Sequence, residues 1–198
     1  METDNLSVLL LHKHPEYLTP CCDLINDEWP RSETARMMSL QASCDKLPTS
    51  LILISNDKKY LIGHCKLTPI PSIPEGCFIE TVVINKLLRG KKLGSYLMRQ
   101  AEEYCKLKLN LKKLYLSTKG QENFYAKLGY VICEPVSIYG SSFTSNIKGA
   151  LVSHTNKKSV PQRNCPTQNG IPPPPPPMPV DNVYDNKTIK SNKTYMFK

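Results

Sequence analysis

The chain lacks any apolar run approaching the roughly 20 residues that crossing a bilayer requires. Its first residues, Met1–Ser7, are polar and carry Glu2 and Asp4, without the basic start and apolar stretch of a secretory signal. No membrane role and a soluble, cytoplasmic protein are therefore expected. No Cys-x-x-Cys pair occurs among the eight cysteines, and the four histidines do not cluster near them. That spacing excludes the usual zinc patterns, so no metal is expected. Free, mostly buried thiols are the better reading. Acidic residues are also in short supply: 17 Asp and Glu face 26 Lys and Arg, for a net charge of +9. Such a balance favours an acidic partner. Nucleic acid is a poor candidate, because no recognition motif or aromatic interleaving accompanies the basic stretches.

What is present is enough for a core. Hydrophobic residues make up 40% of the 198-residue chain, enough for one compact domain with an appended segment. Leu6–Leu11 reads as a strand. Pro15–Glu28 places Leu18, Cys22 and Ile25 at helical spacing, with Pro20 tolerable only near the first turn. Arg31–Leu40 reads as a second helix. Leu51–Ile54 and Tyr60–Leu67 form a hairpin across the Asn56-Asp57 turn. Cys77–Ile84 is β-branched and reads as a central strand, and Gly94–Leu109 as a helix with Leu97, Ala101, Tyr104 and Cys105 on one face. Leu114–Ser117, a short helix Asn123–Leu128 stopped by Gly129, and Tyr130–Cys133 follow.

Composition then shifts. From residue 153 to 193, Asn, Lys, Thr, Gln and Pro dominate, with an unbroken run Pro172–Pro177 that favours polyproline II. Tyr195, Met196 and Phe197 are apolar again, and suggest a strand returning to the sheet over residues 194–198. The expected organisation is a domain over residues 1–152, a flexible Pro-rich loop over 153–193 between the last two strands, and that closing strand.

Two motifs carry chemistry. The strand Glu80-Thr81-Val82-Val83-Ile84 leads into the turn Arg89-Gly90-Lys91-Lys92-Leu93-Gly94 and the helix beginning Ser95-Tyr96. Unpaired N–H groups at such a helix start, with the helix dipole, suit a pyrophosphate. About thirty residues on comes Asn123-Phe124-Tyr125-Ala126-Lys127-Leu128-Gly129-Tyr130.

Together these resemble motifs A and B of the GNAT acetyltransferase superfamily, over roughly Leu6–Val136. The resemblance implies an α/β (α+β) fold: a central mixed, twisted sheet flanked by helices. It departs at Lys92, where the family has its middle glycine; lysine is tolerable there if the local φ is negative. Asp23–Ser32, Gly63-His64, Glu80-Thr81-Val82-Val83 and the Pro-rich insert resemble the branch of this superfamily that acetylates processed actin N-termini.

That resemblance implies acetyl-CoA as co-substrate. Val82, Val83 and Ile84 would hold it by their N–H groups, with Val82 aimed at the acetyl oxygen. Arg89, Gly90, Lys91, Lys92, Leu93, Gly94 and Ser95 would cradle the pyrophosphate, and Gln121 would touch the pantetheine. Tyr125 would protonate the leaving thiolate, and Glu80, or less readily His64, would relay a proton through water. For an acidic peptide the candidates are Arg31 and Arg36, with Trp29 shaping the mouth and Gln41, Ala42, Ser43 and Cys44 along the groove. The expected partners are the actin N-terminus as substrate and profilin at Pro172–Pro177, and a monomer is expected. Alternatives are a GNAT enzyme acting on lysine or small amines, and a non-catalytic module presenting polyproline.

Overall fold

The structure, a computed structural model, describes residues 5–57, 59–139 and 193–198. Seven strands form one mixed sheet: β1 Leu6–Leu10, β2 Thr49–Ser55, β3 Leu61–Pro69, β4 Gly76–Ile84, β5 Lys113–Thr118, β6 Val131–Cys133 and β7 Thr194–Phe197. Their order across the sheet is β1-β2-β3-β4-β5-β7-β6. All neighbours run antiparallel except β4 and β5. That parallel pair needs a long crossover, which α3, Leu93–Leu107, supplies. The other helices are α1 Leu18–Glu28, α2 Glu33–Gln41 and α4 Glu122–Ala126.

Strand alternation divides the core in two. Leu51 and Leu53 of β2, with Cys65, Leu67, Cys77 and Ile79, pack beneath Leu97, Met98, Ala101 and Cys105 of α3. Ile52 and Ile54 face the other way, against Cys21, Cys22 and Ile25 of α1 and Leu40 of α2. Every residue of β2 is buried, because both faces are covered.

Several boundaries differ from the sequence reading, each for a local reason. Pro15–Tyr17 forms a 3-10 turn and α1 starts at Leu18, which leaves Pro20 in the first turn, where its missing N–H is harmless. The expected helix Arg31–Leu40 begins instead at Glu33, because the Ser32 hydroxyl accepts from the Ala35 N–H and caps it. Arg31 therefore stands ahead of α2, not on a face of it. After α4, Gly129 at φ +91° turns the chain into β6. Among the described residues the cysteines are free; Cys44 is exposed and Cys133 half-buried. The Pro172–Pro177 run and the rest of the 153–193 segment, except Lys193, lie outside the described residues.

Candidate active site

The site begins where two strands part. β4 and β5 pair from Gly76/Lys113 only as far as Ile79/Leu116. Beyond that point β5 continues beside β7 through Ser117 and Thr118. Residues Glu80–Ile84 of β4 thus have β3 on one edge and, among the described residues, no strand on the other. Glu80 is the extra residue of a bulge: Lys66 faces Thr81 and Leu67 faces Ile79 across the β3–β4 ladder. A bulge bends and twists its strand and re-aims side chains, which opens a wedge lined by the main chain of Val82, Val83 and Ile84.

The wedge leads to the N-terminus of α3. Gly90 has φ +80° and Lys92 has φ +61°, and Lys92 is the helix N-cap without a side-chain cap bond. The helical ladder begins with Tyr96 N–H donating to Lys92 C=O at 3.0 Å. The N–H groups of Leu93, Gly94 and Ser95 are therefore without intrahelical partners. Two positive-φ residues just before a helix make a concave nest of N–H groups suited to an anion. A negative φ at Lys92, the condition under which lysine is tolerable, is not what the chain adopts. The lysine occupies the left-handed region, which costs a non-glycine residue about 1–2 kcal/mol.

Arg89 was expected at the phosphates. Its contacts instead splint the turn: Nε donates to Ile84 C=O at 3.0 Å and Nη2 pairs with Glu28 at 2.8 Å. Lys91 and Lys92 are exposed beside the nest. Gly94 brings α3 onto α4, because a Cβ there would already sit 3.4 Å from the Phe124 ring.

Gln121, exposed, precedes α4 as its N-cap residue. Tyr125 lies edge-on to Phe124 with centroids 4.9 Å apart, and to Tyr130 at 5.9 Å. Burial, with the Cys65 thiol as a lesser neighbour, pushes its phenol up to about 12. Cys65 faces Val82 across the ladder, so the phenol belongs to the same neighbourhood as the open edge of β4. It stays protonated throughout the physiological range. Lys198 fixes the end of this helix: its Nζ donates to Leu128 C=O and pairs with Glu102 of α3, each at 2.7 Å.

The opposite face holds the other candidates. Trp29 is 47% exposed, and Arg31 is exposed next to it. Arg36 spans the α1–α2 corner: Nε donates to Asn26 Oδ1 at 3.1 Å and Nη2 to Trp29 C=O at 2.7 Å. Gln41, Ala42 and Cys44 are exposed. Ser43 is not available to a peptide; it is buried, its hydroxyl accepting from Ser50 N–H at 2.9 Å. Ser43 lies in the loop after α2, and its hydroxyl satisfies the N–H of Ser50 at the start of β2, which would be costly to leave unpaired.

Glu80, a proton-relay candidate, is already engaged by neighbours. It accepts from Thr68 Oγ1 at 2.7 Å and pairs with Lys66 Nζ at 3.1 Å. Lys66 also donates to Ser39 Oγ of α2 at 2.7 Å. Neither Lys66 nor Ser39 was singled out from sequence. Their signal was the period-two run of polar residues His64, Lys66 and Thr68 on an otherwise apolar strand. His64 is wholly buried, and burial, then the charges of Lys66 and Arg36, push it down to about 3. It is a neutral imidazole and a poor proton acceptor.

An open edge on β4, a positive-φ turn with free N–H groups before α3 and a tyrosine on α4 fit one known architecture. A sequence profile described as the acetyltransferase (GNAT) family matches residues 18–130. The chain belongs to that family. Among curated GNAT relatives, mouse N-alpha-acetyltransferase 80 is 36% identical over 157 residues, which is 76% of this chain and 49% of that one. The chain thus spans about half the length of that relative. Solved structures with the same fold include spermidine N-acetyltransferase from Vibrio cholerae in complex with CoA and spermine. It has a TM-score of 0.56 at 21% identity, over 68% of this chain and 88% of that one. Another is a putative GNAT acetyltransferase from Desulfovibrio desulfuricans, with a TM-score of 0.55 at 11% identity, over 65% of this chain and 87% of that one. At these identities the likeness establishes the GNAT fold. Among the described residues, no group of three or more His, Cys, Asp or Glu side chains could hold a metal ion, and no helix is long and apolar enough to cross a membrane.

Proposed function

We propose that this chain transfers the acetyl group of acetyl-CoA to the α-amine of acidic protein N-termini, with processed actin as the substrate. The observation that carries the reading is the parting of β4 from β5 directly above the positive-φ turn of α3. It offers an extended main-chain edge and an anion nest in line, the two features a long, phosphate-bearing thioester needs. The Asp23–Ser32 resemblance, the excess of basic residues and the N-alpha-acetyltransferase relative support the acceptor.

When bound, acetyl-CoA supplies a thioester whose carbonyl carbon the amine attacks, forming C–N and releasing the thiolate. The chain's residues do the rest. Main-chain N–H groups of Val82–Ile84 orient the acetyl oxygen and stabilise charge on it. Gly90–Ser95, with Lys91 and Lys92, hold the pyrophosphate, and Gln121 steadies the pantetheine. Tyr125 donates its phenolic proton to the departing sulfur and is reprotonated by the proton the new amide nitrogen sheds. An α-amine has a pKa of about 8, so a useful fraction is already neutral near pH 7 and no strong base is required. The proton of the remaining ammonium leaves to water. Trp29, Arg31 and Arg36 line the approach of the acidic peptide.

The location proposed is the cytoplasm. Pro172–Pro177, within the 153–193 segment, is the proposed docking sequence for profilin, since an unbroken proline run favours polyproline II, which loses little freedom on binding. The test is acetyl transfer to peptides with acidic, basic and apolar first residues. Preference for acidic peptides supports the reading, and equal transfer to basic ones would refute the acceptor assignment.

A further inference from the structure

Strand β3 presents His64, Lys66 and Thr68 to the side covered by α1 and α2. Across the sheet, Ser50 of β2 and Thr81 of β4 flank Lys66 in register. Two of these neighbours are orphaned among the described residues: the buried Ser50 hydroxyl and both ring nitrogens of the buried His64 have no hydrogen-bond partner. Buried polar side chains are partnered in the large majority of cases. Here the exceptions stand on either side of the same lysine, one across the ladder and one two residues along the strand.

The Lys66 side chain is 13% exposed, and Glu80, its partner, is 35% exposed. The carboxylate therefore stands at the mouth and the ammonium behind it. Glu80 is also the bulge residue that begins the open edge of β4, so the pair adjoins the point at which acetyl transfer is proposed. A partly exposed ion pair contributes little by itself, about 0–1 kcal/mol, and can be exchanged for another with small loss.

Building on the acetyl-transfer reading above, we infer that the Lys66–Glu80 pair is the selectivity element for the first residue of the acceptor. The α-ammonium docks on Glu80, and the side-chain carboxylate of an N-terminal Asp or Glu docks on Lys66. The substrate carries the same two charges, a few bonds apart, and replaces the internal pair with two intermolecular ones. Ser50 and His64 give the buried carboxylate hydrogen-bond donors that nothing else among the described residues uses. A first residue with a basic side chain brings a second cation against Lys66, and an uncharged one leaves the lysine's exchanged charge unmatched. Arg31 and Arg36 remain for later acidic residues.

The test is an enzyme–substrate double-mutant cycle. Two peptides differ only at the first residue, Asp or Asn, and kcat/KM is measured with the wild-type protein and with Lys66→Met. Hydrogen bonds to charged groups are worth about ten- to a hundredfold in such comparisons. The wild type should prefer Asp by that factor, and the preference should fall to near unity in Lys66→Met while Lys66→Arg keeps most of it. Acetyl-CoA binding by calorimetry establishes that each variant is folded. Glu80→Gln should raise KM for both peptides and leave their ratio standing; a collapsed ratio there would count against the inference, and carries the test if Lys66→Met does not fold. Transfer with the Asp preference intact in folded Lys66→Met overturns this inference alone. No transfer from the wild type to any α-amine, despite acetyl-CoA binding, overturns the acetyl-transfer reading and the inference with it.

Discussion

Replacing Lys92 by glycine separates two roles that the residue combines. Its φ of +61° places a side chain in the left-handed region, at a cost of about 1–2 kcal/mol. Glycine removes that strain but gives the unfolded chain more freedom, an offset of about 0.5–1 kcal/mol. The net is a gain of about 0.5–1 kcal/mol, or a rise in Tm of about 1–4 °C for a domain of this size. The same change removes an exposed cation beside the proposed phosphate site, worth about 0.2–1 kcal/mol, so acetyl-CoA should bind up to about fivefold more weakly. The second effect should fade as salt is added, since exposed charges are screened. Lys92→Ala is the control: it loses the charge and keeps the strain, so it should weaken binding equally without raising Tm. Thermal melting and calorimetry on the three proteins give both quantities. A glycine variant no more stable than the alanine one would refute the strain argument. Unchanged acetyl-CoA affinity in both would refute the placement of the phosphates at this turn.

If Tyr125 is the acid proposed above, Tyr125→Phe should lower kcat about 10²–10⁴-fold while leaving acetyl-CoA affinity nearly intact, because the hydroxyl is needed only at the leaving sulfur; steady-state kinetics with calorimetry checks this. With the phenol pushed up to about 12, the wild-type kcat should show no alkaline fall from tyrosine ionisation between pH 7 and pH 10. A fall near pH 10 would mean that the acid is a solvent-exposed group. Arg36→Glu should raise KM for acidic peptides and also lower Tm, since Arg36 bridges Asn26 and the Trp29 carbonyl; a KM effect without any loss of stability would contradict the bridge. Gly63→Ala should destabilise by about 1–3 kcal/mol, because the new Cβ would lie 2.8 Å from the Val83 carbonyl oxygen, and denaturant unfolding measures it. Exchanging Pro172–Pro177 for a Gly/Ser stretch should spare turnover of a free acidic peptide and slow that of profilin-bound actin.

Sequence carried the architecture well where periodicity and punctuation agreed. The crossover from β4 through the glycine turn into α3 was legible because the strand is β-branched, the turn has glycines and the helix repeats Leu97, Ala101 and Cys105. Helix starts were harder: a single hydroxyl, Ser32, moved the beginning of α2 past Arg31, and no hydrophobic pattern records a capping bond. The nest was recognisable by its residues, but the conformation of Lys92 was not, since a lysine carries no mark of positive φ. Ser43 looked like a polar groove residue; only the register of β2 shows that its hydroxyl is needed inside. Arg89 illustrates the same gap, its charge being visible in sequence and its commitment to Ile84 and Glu28 visible only in three dimensions. The Lys66–Glu80 pair depends on the bulge at Glu80, which a one-residue shift in pairing creates and which the chain's composition does not signal.

The interior place of β7 has a bearing on how the protein is made. Sixty residues separate the end of β6 at Cys133 from the start of β7 at Thr194, yet β7 is the strand that joins β6 to β5. Until the ribosome has delivered β7, β6 and the outer edge of β5 lack the partner they have among the described residues. Such edges are templates for wrong pairing, and contacts so distant along the chain form late. Shortening the intervening stretch by half would change the entropy of closing it by only about 0.6 kcal/mol. The hazard during synthesis is thus set by when β7 emerges, and trimming the segment before it offers little protection; a nascent chain stalled before Thr194 should be the species that recruits chaperones or aggregates.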